Sequence, residues 1–202
     1  MLKIKKQKFN AVLISADSNK ELAESFLRFQ EYYESPYWAG KIFTIGQYKR
    51  WYSEKYGADT YTKDWSGFNF PSKVLVPFKE GLFDPLTKNE KIILNFFKYR
   101  NDNFYVIGSN SDDVLKHELC HALYYTNENY KKDIDNLIIK NKTKLNKALN
   151  YLVKIGYHKK VIFDEFQAYV LDGDWFDEKK IHIPEKIKSE VFFIYKKHSK
   201  II

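Results

Sequence analysis

The five residues His117-Glu118-Leu119-Cys120-His121 constrain this chain more than any other stretch of it. They set two imidazoles four positions apart, and residues at that spacing share a face only on a helix, where their Cβ atoms stand about 5 to 6 Å apart. Independent signals predict that helix. Asn110 or Ser111 can cap it, Asp112 and Asp113 fall in a first turn whose dipole favours anions, and it should run to about Asn127. On such a face both imidazoles can reach one metal, and zinc accepts neutral histidine nitrogens at roughly 2.0 to 2.1 Å in tetrahedral geometry. Glu118 then stands beside the open position. The plain alternative is an ordinary helix with two unrelated histidines and a solvated glutamate.

Catalytic zinc keeps three protein ligands and one water. A histidine six residues after the second ligand would mark the metzincin type, but that position is Asn127, which excludes it. The third ligand must therefore come from elsewhere in the fold. Asp164-Glu165-Phe166-Gln167-Ala168 stands out, because it lies on a predicted helix after a long helical crossover and Ala168 permits close approach to the zinc-binding helix. The candidates are acidic residues or histidines from elsewhere in the fold, with Glu165, Asp164 and Glu128 in competition, since carboxylates of either type bind zinc.

An H-E-x-x-H motif followed some forty residues later by a helical E-x-x-A segment, Glu165 to Ala168, resembles the gluzincin metallopeptidases, especially the lethal-factor-like and Pro-Pro-endopeptidase-like group. The resemblance covers about Asn103 to Gly173. It implies a zincin-like fold, Zn2+ as cofactor, His117, His121 and Glu165 as ligands, and Glu118 as general base. It also implies a Tyr about two helical turns before the third ligand that helps stabilise the tetrahedral intermediate. That position holds His158, with Tyr157 beside it. Thermolysin-like members carry an Asp four residues after the ligand Glu to hold a ligand histidine, and here that residue is Tyr169, so the partner of His117 stays unassigned.

The rest of the chain reads as α+β and predominantly helical, with a small sheet beside the zinc-binding helix. Phe9 to Ser15, Lys73 to Phe78 and Asn103 to Gly108 are expected strands. Helices are expected over about Ser18 to Tyr33, Thr44 to Tyr56, Thr87 to Arg100, Lys160 to Leu171 and, after Pro184, to about Lys197. Lys131 to Ile155 reads as one long amphipathic segment with a solvated lysine face. Thr60 to Pro71, a mixture of turn residues and aromatics, is expected to be a loop or irregular ribbon that could wall a cleft. The strand over Asn103 to Gly108 could present an edge on which an extended peptide adds.

With 202 residues, 44% hydrophobic and 18% aromatic, one domain over 1–202 is expected, residues 1–71 being core or an N-terminal extension or subdomain. The single Cys120 excludes an internal disulfide and makes a reducing cytoplasm the default. It reads as a buried spectator. No signal peptide or membrane-spanning segment is read. Only Arg28, Arg50 and Arg100 are arginines among 34 basic residues, so the net charge of +8 argues against a dedicated nucleic-acid reader. The expected function is a zinc-dependent peptidase acting on a peptide or protein substrate. The alternative is an inactive zincin-like module that binds a peptide or protein through the aromatic Thr60 to Pro71 stretch. Oligomeric state is not legible.

Overall fold

The computed structural model describes residues 1–199. In chain order the elements are β1 (Lys3–Lys6), β2 (Ala11–Ser15), α1 (Asn19–Glu34), α2 (Ile45–Tyr56), α3 (Tyr61–Asp64), β3 (Gly67–Pro71), α4 (Leu75–Lys79), α5 (Lys88–Phe96), β4 (Tyr105–Ser109), α6 (Asp112–Thr126), α7 (Glu128–Lys140), α8 (Lys142–Lys154), α9 (Ile162–Leu171), α10 (Trp175–Glu178) and α11 (Glu185–Ser199). The chain is a mixed α+β fold, mostly helical, around one small sheet. Among the described residues no helix is long and apolar enough to cross a membrane.

Strand order is β1-β2-β4-β3, with β2 and β4 parallel and both outer strands antiparallel to their neighbours. Side chains alternate across a strand, and here both faces are covered. Val12, Ile14, Phe68, Phe70 and Val106 join α1, α2, α4 and α5 in one apolar cluster. Ala11, Tyr105 and Ile107 join α6 to α11 in the other. Gly108 lets α1 sit close: a Cβ there would lie 2.8 Å from the Phe26 ring. A buried ion pair ties the same helix to α5, with Arg28 Nε donating to Glu90 Oε1 at 2.7 Å.

Three strands of the sheet come from residues 1–71, so that stretch is part of the sheet rather than an appendage to it. β1 is a strand without an apolar alternation. Its Lys-Ile-Lys-Lys sequence suits an exposed edge, where lysines discourage further pairing. The expected ribbon before Pro71 contains a true strand, β3, whose Phe68 and Phe70 point into the α1 side while Asn69 points to the α6 side.

Lys73 to Phe78 is not a strand. It forms a 3-10 turn over Ser72–Val74 followed by α4, a short apolar run of the kind whose sequence fits a strand or a buried helix equally. Pro77 is tolerated because it lies in the first turn, where no helical N–H is needed. The helix over 87–100 stops at Phe96. The long segment over 131–155 is two helices. Asn141 divides them, its Nδ2 donating to the Leu137 carbonyl at 2.9 Å, a side chain competing with its own backbone.

Candidate metal centre

α6 lies across β4 and β3, and α9 packs against α6. Neither expected cap closes α6 with its side chain: Ser111 occupies the N-cap position without a cap bond, and Asn110 Oδ1 instead accepts from the Ala16 N–H at 3.0 Å. Asp112 and Asp113 stand in the first turn as read. The α6 face turned to the protein carries Glu118 and His121, both buried, and His117, partly buried.

The helix pair brings His117, His121 and Glu165 together, one ligand atom of each lying within 4.8 Å of the others. The two Nε2 atoms are 3.0 Å apart, and Glu165 Oε2 is 3.9 Å from His121 Nε2. Ligands about 2.0 to 2.1 Å from a tetrahedral ion stand about 3.4 Å from one another, so the spacing fits a single metal ion. Ala168 is fully buried, consistent with the close approach of α9.

Both imidazoles are aimed from behind. Asp172 Oδ2 lies 2.6 Å from His117 Nδ1, and Asp164 Oδ1 lies 2.9 Å from His121 Nδ1. An Nδ1–H donated to a carboxylate leaves the Nε2 lone pair free for a metal, the arrangement metal-binding histidines normally have. Asp164 is thus an orienting group for His121 rather than a third ligand. It is itself held by Gln167 Nε2 at 3.0 Å, whose Oε1 accepts from the buried Tyr130 hydroxyl at 2.6 Å.

Glu118 shares the cleft. Its Oε2 accepts from Asn69 Nδ2 at 2.7 Å, Asn69 Oδ1 accepts from the Tyr105 hydroxyl at 2.6 Å, and the Asn69 N–H donates to Gln30 Oε1 at 2.7 Å. Gly67 is required opposite it, since a Cβ there would collide with Glu118 Oε1 and stand 2.6 Å from Val114 Cγ1. The cleft is open and about 750 Å³, with Asp113, Lys116 and Trp65 along its rim.

Negative charge accumulates here. Burial raises the pKa of Glu165, with Asp164 adding to the rise and His121 opposing it. Burial raises Glu34 as well, and the Glu165 charge adds to it. Burial alone would lower His121, but Asp164 and Glu165 outweigh it and hold the imidazole well above its usual value. Four buried or half-buried carboxylates around two imidazoles favour a bound cation.

Tyr157 lines this cleft and His158 does not. The Tyr157 and Tyr169 hydroxyls are 2.6 Å apart, and the Tyr169 ring lies 5.0 Å from that of His117 and stacks at 3.7 Å on Trp175. His158 faces a separate cavity with Glu128, where its Nδ1 accepts the Lys160 N–H at 3.2 Å. Glu128 is exposed there, away from the imidazoles. The expected edge for an added peptide also moves: β4 is an inner strand between β2 and β3, and the edge beside the cleft is β3. Cys120 is buried with Sγ 3.4 Å from the Lys116 carbonyl, and burial pushes its pKa up, as for an inert thiol.

Asp172, Asn69, Gln30 and Glu34 were not legible as site residues. Asp172 carried a signal, standing seven residues after Glu165 and so on the same side of a helix two turns on. Compared with protein families, with curated proteins and with solved structures, the chain matches none.

Proposed function

We propose that the protein is a zinc-dependent peptidase of the zincin type, similar in site construction to the gluzincins. The observation that supports this best is the grouping of His117, His121 and Glu165, each imidazole backed by its own carboxylate, in one cleft with Glu118. Zinc held by those three side chains would supply Lewis acidity, lowering the pKa of water toward neutrality and offsetting negative charge at a substrate carbonyl oxygen.

The chain's own residues account for the proton movements. Glu118 Oε2 is engaged by Asn69, so Oε1 is the oxygen that takes the proton of the attacking water and passes it to the leaving amine. Tyr157 and Tyr169 share one hydrogen bond between two hydroxyls, which leaves one O–H free to donate to the developing oxyanion. β3 offers an extended edge beside the cleft for a peptide, with Gln30 occupying the Asn69 N–H until a substrate backbone replaces it.

Replacing Glu118 with Gln tests the reading. Peptide hydrolysis should be abolished while zinc content stays at the wild-type level. Unchanged turnover would refute the role of Glu118.

A further inference from the structure

A second, smaller cavity of about 240 Å³ opens off the metal cleft, and the two share Glu34, Trp65, Tyr157 and Tyr169 as a common wall. Its volume is below that of a typical small-molecule site and suits one long side chain. α2 supplies the outer wall through Tyr48, Trp51 and Tyr56, and α1 supplies two acids, Glu31 and Glu34. Glu31 is only 9% exposed and lines the cavity, its carboxyl set among the Ser35, Tyr48 and Tyr61 hydroxyls, and among the described residues it makes no salt bridge. A buried acid with hydroxyls but no cation against it, inside an aromatic enclosure, suits a cationic guest, since aromatic faces and a carboxylate both attract one.

We propose that this pocket is a specificity subsite that takes the side chain of a substrate lysine or arginine next to the bond being cut, an inference that rests on the peptidase reading. The outer wall already attracts a cation: the Lys55 ammonium stands 4.9 Å from the centres of both the Trp51 and Tyr56 rings. Lys55 is exposed at the mouth, so the inner acids stay available to a guest. Burial pushes the Glu31 carboxyl up to about 7, against the pull of nearby hydroxyls, and a guest ammonium would relieve that cost.

Two measurements on the zinc-loaded protein test this separately from turnover. Tryptophan fluorescence follows titration with N-acetyl-lysine amide and with N-acetyl-norleucine amide, and a peptide library reports cleavage sites. The lysine amide should bind at least about tenfold more tightly, and Glu31→Gln should abolish that preference. Trp51→Leu, at a half-exposed rim position, should weaken it too. Cleavage sites should carry Lys or Arg at one fixed position beside the scissile bond. Equal binding of the two amides, or a preference retained in both Glu31→Gln and Glu34→Gln, overturns the pocket. A lysine preference without cleavage of any peptide upholds the pocket's chemistry and overturns the peptidase reading. Cleavage with no basic preference does the reverse.

Discussion

Asp172, at the C-cap of α9, stands seven residues beyond Glu165 in the first turn, and its carboxylate meets His117 Nδ1 at 2.6 Å, so the two ends of one helix deliver the candidate acid ligand and the group behind the opposite histidine. Coupling the two through α9 means that the site is assembled by the packing of α9 on α6. Asp172→Ala should weaken zinc binding about 10- to 100-fold while leaving the fold intact. Competitive titration against a chelator measures this, and an unchanged affinity would show that His117 is aimed by something else.

The tyrosine pair predicts a loss in turnover rather than in binding. Removing both hydroxyls with Tyr157→Phe and Tyr169→Phe should lower kcat by roughly 10² to 10³, the usual effect of losing an oxyanion donor, with little change in KM. His158→Ala should leave kcat at the wild-type value, because His158 faces another cavity. The opposite ranking would restore His158 to the mechanism.

Glu31 gives the stability a definite pH dependence. Its carboxyl is raised from 4.5 to about 7 in the folded chain, chiefly by burial, so the folded state holds the proton more tightly than the unfolded state does. The stability this contributes is fully present below about pH 4.5, falls as pH rises toward 7, and is flat above that, a change of about 3 kcal/mol. Glu31→Gln should remove that slope. Denaturant unfolding of both proteins between pH 4 and 8 measures the difference, and parallel curves would mean that Glu31 is not buried in its acid form.

Much of this site was legible because its geometry is local. The H-E-x-x-H spacing needs only a helix to bring two imidazoles together, and the Glu165 segment announced itself by its setting on a second helix. What escaped depends on contacts between distant segments. Asn69 lies on a strand whose Gly-Phe-Asn-Phe-Pro sequence reads as part of a loop or irregular ribbon, and only the pairing with β4 and the period-2 burial of Phe68 and Phe70 make a strand of it. The sheet order was equally hidden, since nothing local to Asn103 to Gly108 says that β3 will cover its far side. Glu34 and Gln30 read as the polar residues of an amphipathic helix, and only the approach of α1 to the cleft turns them inward. Arg28 and Glu90 were separated by 62 residues, and Glu90 was legible only as half of a capping box with Thr87.

The most direct measurement is metal content with X-ray absorption at the zinc edge, on the wild-type protein and on Glu165→Ala. One zinc per chain is predicted, bound by two imidazole nitrogens and a side-chain carboxylate, with an exchangeable water completing the shell and with zinc lost or greatly weakened in the variant. Absence of stoichiometric metal, or a shell closed by a fourth side chain such as Glu34, would contradict the account.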